Sequence, residues 1–539
     1  MNRLSEKIGR IARHDYFLLA LIVIFAFGLR HINLGIKSFS GDEVLSLDIV
    51  KQYQSNPVAM IKYLQEIEIH PPLYYLMLNS WMKLIGSDDY SVRLFSVLFG
   101  LSVVISVFYI GKKIFLNNRI GLFGAFFTAI LPMQVEYSMQ ARPYIIYCFV
   151  GLWHIYFLWQ YIESRKNRYL WLYCLSALFG LYLHYSFSLI LIASSGYYFF
   201  MVSTGTLGRK EIIKWLMSVT VIFLGFFWWF KFFLYKYFLQ KIVLLNMEMP
   251  LSLNGMRRSD FFDKTFNQLI WMDSINQHGY IEIIAIFLTK ILLFAVIINF
   301  ILLMISNVEK RNFYSKKIFY LSWILLALIT LYFFSPQSIG YTDINERHII
   351  LGSVIVAIIL AALIDEARKK MKAIFLVMFF FTIIVYNMYI VFENISFKYL
   401  CRPENIASTI NTNFKPRDMV MVYYGSQRSN MNHYLREPIN AVSFYPTLLH
   451  DWRSDYLASR ETLGLFENEF QLRIDHSNER EKEMKINYLL EKHAPDRIWL
   501  IARNMEEIYF PWWLMSHGWK KNDISNIEAC KYIELFEKK

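Results

Sequence analysis

Two adjacent carboxylates, Asp42 and Glu43, follow the first apolar segment and are suited by type and spacing to proton transfer. One could accept a proton from an attacking hydroxyl or amine, while the other orients it or holds a cation. Gly41 before them permits backbone conformations that other residues avoid, and neighbouring carboxylates repel each other. The first turn of a helix also favours acids at such positions. The acid pair alone leaves both interpretations open.

Residues 66–75 combine acids, a histidine, two prolines and two tyrosines. Pro71 and Pro72 suit the first turn of a helix, and the free N–H groups of that turn attract anions. A phosphate could therefore dock beside His70, although a proline-capped helix with an exposed histidine explains the pattern equally well. The other candidate site residues in this segment are Glu68 and Tyr74.

Residues 136–144 place Arg142 at the predicted end of an apolar segment. At a membrane boundary its guanidinium could extend to lipid phosphate or form bidentate contacts with a bound phosphate. His184 and the pair Arg347 and His348 occupy similar positions, where histidines are often structural. The other candidates in residues 136–144 are Glu136, Gln140 and Tyr144.

Long apolar segments must position these side chains. The chain has 539 residues, 56% of them hydrophobic and 18% charged, with a mean hydropathy of +0.32. Several segments are long enough to cross a hydrocarbon core roughly 30 Å thick. The net charge of +13 is concentrated in short basic segments between the apolar ones, which is typical of cytoplasmic loops facing anionic lipid. We therefore predict an α-helical, polytopic membrane protein, with membrane lipids and not nucleic acid as partners.

The basic segments set the predicted orientation, with the N-terminus inside the cell. Residues 71–85 are too short for a span, and counting them would place Lys112 and Lys113 outside, so we predict an interfacial helix on the outer surface. This helix belongs to a first outer loop at residues 35–91. About eleven spans remain. They are predicted at residues 16–34, 92–111, 120–134, 143–162, 169–184, 186–203, 214–234, 281–305, 318–334, 348–364 and 373–392.

Residues 393–539 are rich in charge and follow an odd number of spans, so we place them outside the cytoplasm. β-like runs at 418–424 and 496–502 alternate with helical patterns, which predicts a small extracytoplasmic α/β domain. Residues 1–392 form the predicted transmembrane domain. The outer segment 235–279 is interpreted either as a lid or as a packed loop.

The order of the motifs is more specific than any one of them. Gly-Asp-Glu after the first span is followed by His-Pro-Pro-Leu-Tyr-Tyr at 70–75, Tyr-Ser-Met-Gln-Ala-Arg-Pro-Tyr at 137–144 and His-Tyr at 184–185. This order resembles the bacterial membrane glycosyltransferases of the GT-C type, in the family of protein O-mannosyltransferases and lipid A aminoarabinose transferases. The resemblance extends over about residues 15–200 and implies a GT-C-like catalytic domain.

This resemblance implies an inverting transfer of a hexose or pentose from a polyprenyl-phosphate donor to a lipid, glycan or protein acceptor. The reaction would take place at the outer face of the bacterial cytoplasmic membrane. By resemblance, Asp42 is the general base with Glu43 beside it, and His70 and Arg142 help to hold the donor phosphate. Arg347 corresponds to an arginine before a late span that is often followed by tyrosine, where this chain has His348.

Three departures from the family pattern concern the site. Relatives commonly carry glutamate where this chain has Gln140, and Glu136 lies one helical turn earlier as a candidate replacement. The aminoarabinose transferases have arginine in place of Leu45, and Glu-Lys in place of Ile69 and His70. The sequence implies no cofactor beyond a candidate divalent cation, whose binding it leaves undecided.

Two other classes of membrane protein remain as alternatives. A flippase or transporter of a polyprenyl-linked sugar would place polar groups near the bilayer midplane and break its helices in repeated halves. Here the polar groups gather on one predicted face, and no internal repeat is visible. An O-antigen polymerase or ligase also acts outside the cytoplasm but would not need the pair Asp42 and Glu43.

Overall fold

The computed structural model describes residues 2–35, 39–66, 70–246, 313–333, 346–367, 387–388, 403–424, 431–436, 439, 441–445, 490–491, 493–501, 514–522 and 533–538. Contacts divide the chain into two compact units. The first comprises Met1–Leu34 and Ile69–Phe397, and the second comprises Gly35–Glu68 and Lys398–Lys539. Residues 35–68 of the predicted first outer loop thus group with the C-terminal segment. The predicted division between residues 392 and 393 stays a prediction.

The first unit is helical in its described parts. Its helices are α1 (Asn2–His31), α4 (Leu73–Leu84), α5 (Asp89–Phe115), α6 (Asn118–Ile130), α7 (Pro132–Ser138), α8 (Tyr144–Ser164), α9 (Asn167–Leu183), α10 (Phe187–Ser203), α11 (Lys210–Asn246), α12 (Phe313–Phe333) and α13 (Ile350–Ala367). A 3₁₀ turn, Glu346–Ile349, directly precedes α13. The predicted first outer loop also forms α2 (Gly41–Gln52) and α3 (Pro57–Glu66), which belong to the second unit.

Many of these helices have the length and apolar composition of membrane spans. Within the described part of the chain, 6 helices meet both criteria, and 7 do so if the bent pair α6 and α7 counts as one. Helices occupy nine of the eleven predicted spans. The remaining two, at 281–305 and 373–392, lie outside the described residues except for Asn387 and Met388. The prediction of a polytopic helical membrane protein is confirmed.

Pro132 divides the predicted span at 120–134 into two helices. α6 ends at Ile130, and α7 begins at Pro132 after a bend of 63°. A proline has no N–H to continue the helix, and its ring collides with the carbonyl four residues earlier, so the chain turns. These residues were predicted as one span, although the proline was the visible signal for the break.

The helix predicted at residues 71–85 is present as α4. It has 12 residues, so its length is about 18 Å, well short of the hydrocarbon core. The side chains of Tyr75, Leu78 and Met82 are buried, which packs one face of α4 into the first unit. The predicted position at the membrane interface stays a prediction.

The second unit contains the predicted C-terminal sheet. Its strands are β1 (Asp418–Tyr424), β2 (Ala441–Tyr445), β3 (Arg497–Ile501), β4 (Trp519–Asn522) and β5 (Ile533–Lys538), in the order β2-β1-β3-β5-β4. β1 pairs in parallel with β2 and β3, and β5 pairs antiparallel with β3 and β4. Helix α14 (Pro403–Asn413) packs on the sheet through Ile406, Ala407 and Ile410.

Candidate functional site

Four of the predicted site residues meet in the first unit, at the ends of its helices. Arg142 lies in the turn between α7 and α8, and Pro143 leads into α8. His184 follows the last residue of α9, and Arg347 and His348 form part of the 3₁₀ turn before α13. Helix ends offer unpaired backbone groups and polar side chains, so an ion site assembles there more readily than along apolar spans.

Two guanidinium groups converge on the ring of Tyr144. The Cζ atom of Arg142 lies 5.8 Å from the ring centroid, and that of Arg347 lies 5.4 Å from it. Contacts of this kind contribute about 0.5–2 kcal/mol each and orient the guanidinium planes. Because Arg142 is only 3% exposed, two like charges share a partly desolvated volume, which favours an anion beside them.

Three histidine rings complete the cluster around Tyr144. The His184 ring lies 5.7 Å from that of His70 and 5.2 Å from that of His348, measured between centroids. Arg142 Nη2 lies 3.5 Å from His70 Nε2. Because a guanidinium can only donate, this hydrogen bond requires an unprotonated Nε2 in His70. We call these six residues, His70, Arg142, Tyr144, His184, Arg347 and His348, the basic cluster.

Ser186 fixes two of the histidine rings. Its backbone N–H donates to Nδ1 of His184 at 3.1 Å, and its hydroxyl lies 2.8 Å from Nδ1 of His348. Since Nδ1 of His184 accepts, the ring proton lies on Nε2, where it can be donated to an anion. Tyr147 donates its hydroxyl to the His348 carbonyl at 2.8 Å. Sequence reasoning missed both Ser186 and Tyr147. For Ser186, the available signal was a hydroxyl two residues after a histidine at a helix end.

The electrostatic surroundings of His184 are basic. The side chains that interact electrostatically with its imidazole are those of His348, His70, Arg142 and Arg347. A phosphate suits such surroundings because its oxygens can accept from several donors at once. Among the residues that the structure describes, no group of three or more His, Cys, Asp or Glu side chains could hold a metal ion. The arrangement is chemically suited to an anion, and phosphate binding stays a prediction.

Gln134 of α7 ties together the two segments that carry the arginines. Its Nε2 donates to the Ile350 carbonyl at 3.2 Å and to Ser353 Oγ at 2.9 Å, both in the first turn of α13. Arg347 precedes α13 and Arg142 follows α7, so this buried amide links the two segments from which the guanidiniums extend. Sequence reasoning missed Gln134, because nothing in its local pattern identifies a partner more than two hundred residues away.

A buried arginine joins the last residue of α7 to the end of α6 by hydrogen bonds. Arg30 of α1 donates from Nε to Ser138 Oγ at 3.1 Å and from Nη1 to the Ala129 carbonyl at 3.0 Å. That carbonyl lies at the end of α6, where the helix dipole is negative and the bend has removed the next hydrogen-bond donors. Gly100 leaves room for this contact, since a Cβ atom there would lie 2.2 Å from Ser138 Oγ.

Glu136 lies in the last turn of α7, and its side chain contacts that of Gln140, just beyond the helix. Gln140 Nε2 donates to Glu136 Oε1 at 2.9 Å. The carboxylate that this chain lacks at position 140 is therefore present one turn earlier, bonded to the side chain that stands in its place. Whether Glu136 takes over its role stays a hypothesis.

Two candidates in residues 66–75 remain, Tyr74 and Glu68. Tyr74 is 1% exposed in α4, and its ring lies 5.7 Å from that of Tyr75. Glu68 lies outside the described residues, so its role stays a prediction.

The acid pair begins α2, in the second unit. Ser40 is the N-cap, and Glu43 closes a capping box with it: Glu43 N–H donates to Ser40 Oγ at 3.4 Å, and Ser40 N–H donates to Glu43 Oε2 at 2.8 Å. Glu43 is 2% exposed, whereas Asp42 is half-buried. Glu43 therefore stabilises the start of α2 through the capping box. The catalytic role of Asp42 stays a prediction.

Comparison with known proteins identifies the relatives of this chain. Residues 69–230 match the family described as dolichyl-phosphate-mannose-protein mannosyltransferase. The chain shares its fold with ArnT from Cupriavidus metallidurans in the apo state, at a TM-score of 0.57 and 10% identity over 96% of this chain and 97% of that one. No curated protein sequence matches it significantly.

An archaeal enzyme has the same fold. It is the oligosaccharyltransferase AglB from Archaeoglobus fulgidus, in complex with an inhibitory peptide and a dolichol-phosphate, at a TM-score of 0.53 and 8% identity over 90% of this chain and 69% of that one. The chain therefore has the GT-C fold that its motifs predicted, and residues 69–230 carry the sequence pattern of the mannosyltransferase family.

Proposed function

We propose that this protein transfers a sugar from a polyprenyl-phosphate carrier to an acceptor at the outer face of the bacterial cytoplasmic membrane, with inversion at the anomeric carbon. The observation that carries the proposal is the basic cluster, in which two guanidiniums and three imidazoles gather around Tyr144. A lipid-linked phosphate is an anion that a membrane protein meets at the ends of its spans. The complex of AglB with a dolichol-phosphate supports this choice of ligand.

The basic cluster is suited to stabilise the negative charge that develops on the phosphate of the donor. As the bond between the anomeric carbon and the phosphate oxygen breaks, the electron pair and the negative charge move onto the departing polyprenyl phosphate. Arg142 and Arg347 would stabilise that charge, and Nε2 of His184 would donate to it. Held guanidiniums need no reorganisation at that moment, because Tyr144 and Gln134 already orient the segments that carry them.

Asp42 would be the general base. The hydroxyl or amine of the acceptor attacks the anomeric carbon from the face opposite the phosphate, its proton passes to the Asp42 carboxylate, and the configuration inverts. The mechanism requires Asp42 to reach the acceptor while the basic cluster holds the phosphate of the same donor. Glu43, bonded to Ser40 through its carboxylate, would keep the start of α2 in place.

The orientation of α8 supports a site on the outer face. Arg142 and Tyr144 stand at its beginning, whereas its other end leads to Arg165 and Lys166 in the loop and to Arg168 in the first turn of α9. Short loops rich in arginine and lysine remain in the cytoplasm. A basic cluster at the opposite end of the same helix then faces outward, where lipid, glycan and protein acceptors are available.

Transfer from a defined donor tests the proposal. Purified protein in lipid nanodiscs would be incubated with polyprenyl-phosphate hexoses and pentoses, and the release of polyprenyl phosphate would be followed by mass spectrometry. We expect turnover by the wild type and only a slow residual rate from Asp42→Asn, with donor binding retained in the variant. Binding of donors without cleavage by the wild type would indicate a carrier, and near-normal turnover by Asp42→Asn would remove Asp42 from the mechanism.

A further inference from the structure

The backbone just before the acid pair is held by the C-terminal segment of the second unit. Phe39 N–H donates to the Tyr434 hydroxyl at 2.9 Å, across 395 positions of sequence. Phe39 precedes the N-cap Ser40, and its side chain is 1% exposed. A bond to this N–H therefore fixes the entry of the chain into α2, three residues before Asp42.

His433 makes two more contacts with the same segment. Its ring lies edge-on to that of Phe39, with the centroids 5.5 Å apart. Its Nδ1 atom lies 3.9 Å from Oδ1 of Asp48 in α2. The contact to Phe39 precedes the acid pair in the chain, and the contact to Asp48 follows it. The backbone that carries Asp42 is therefore held on both sides.

Asn411 of α14 secures the residues that make these contacts. Its Nδ2 donates to the Tyr434 carbonyl at 3.1 Å, and its Oδ1 accepts from Arg436 N–H at 2.9 Å. The preceding residue, Ile410, is fully buried in the core of the sheet. A continuous set of contacts thus leads from the sheet core through Asn411 and Tyr434 to Phe39.

We propose that Tyr434 and His433 are positioning residues, and that the C-terminal domain serves to hold the general base in its catalytic place. The inference rests on the proposed role of Asp42. A general base must lie within hydrogen-bond reach of the proton it accepts, and a displacement of about 1 Å can cost roughly 10²-fold in rate. The contacts above act on backbone next to Asp42, so their loss would affect the chemical step and not the binding of the donor phosphate.

Tyr434→Phe is the decisive variant, because it removes only the hydroxyl. We expect kcat to fall by about 10- to 100-fold, while KM for the donor and the binding of polyprenyl phosphate remain those of the wild type. Asn411→Ala should reproduce the loss of kcat through the Tyr434 backbone. Thr412→Val is the matched control: it removes a hydrogen bond within the same helix, to the Ser408 carbonyl, and should leave kcat unchanged.

A double variant separates positioning from general destabilisation. Tyr434→Phe should cause no further loss of transfer in an Asp42→Asn background, because a positioning residue acts only through the acid it positions. A wild-type kcat in Tyr434→Phe, or an equal fold-loss in both backgrounds, would overturn the inference. A lower melting temperature with an unchanged kcat of the folded protein would also overturn it. If Asp42→Asn itself transfers normally, the proposed function fails first, and the two failures are distinguishable.

Discussion

Arg142→Gln tests the basic cluster through its most buried guanidinium. Arg142 is 3% exposed and lies 3.5 Å from His70, so a phosphate bound there meets it in a partly desolvated volume. Two unit charges about 4 Å apart interact by about 4 kcal/mol at an effective dielectric constant near 20. Loss of one such contact to a developing oxyanion costs about 2.7–4 kcal/mol, or roughly 10²–10³-fold in kcat. We expect a loss of that size.

The assay is single-turnover cleavage of a polyprenyl-phosphate sugar in nanodiscs, with binding of polyprenyl phosphate measured on the same preparation. Arg142→Lys keeps the charge but loses the planar fork, so its loss should be smaller than that of Arg142→Gln. Arg347→Gln should resemble Arg142→Gln, because both guanidiniums contact the same Tyr144 ring.

Arg168→Gln is the matched control for this series. Its guanidinium also lies on a tyrosine, 4.8 Å from the Tyr169 ring centroid, but in the first turn of α9, beyond the other end of α8. We expect wild-type turnover and binding from this variant. Turnover by Arg142→Gln within about threefold of the wild type, well below the loss expected for such a contact, would refute the assignment of phosphate binding to the basic cluster.

Three further predictions concern the supports of the site, each measured by thermal unfolding in detergent. Gln134→Leu removes two buried hydrogen bonds to the first turn of α13 and should cost about 1–3 kcal/mol, with weaker donor binding; unchanged binding would contradict its role. Gly100→Ala places Cβ 2.2 Å from Ser138 Oγ, so a wild-type melting temperature would refute the packing argument. Asp88→Ala removes the N-cap of α5 and should cost about 1 kcal/mol. Hydrogen bonds from Ser91 lower the pKa of Asp88. The wild type therefore loses the stability that this cap contributes as the pH falls through the lowered pKa. Asp88→Ala lacks the cap, so an equal loss of stability with falling pH in the variant would contradict the capping role.

The helices and the members of the cluster follow from local sequence. Apolar length predicts a span, and a polar residue at the end of an apolar run predicts a position at a helix end. For this reason Arg142, His184, Arg347 and His348 could be named as candidates before their contacts were known. Their convergence on Tyr144 depends on how the helices pack, which spacing along the chain does not determine.

The supports of the site could not be predicted in this way. Arg30 and Gln134 lie within apolar segments, and their partners belong to other helices. The contact between Phe39 and Tyr434 joins residues 395 positions apart. Such contacts arise from tertiary packing, so a single sequence gives the residue types but not the pairs. Pro132 is the exception, because its missing N–H signals the break between α6 and α7 directly.

Membrane-sided labelling tests most directly whether the acid and the basic cluster can serve one donor. In a cysteine-free background, Asp48→Cys would report on α2, Gln140→Cys on the turn before α8, and Lys166→Cys on the loop after it. We predict that an impermeant maleimide added to intact spheroplasts labels the first two, and labels Lys166→Cys only after permeabilisation. Labelling of Asp48→Cys and Gln140→Cys from opposite sides of the membrane would contradict the account.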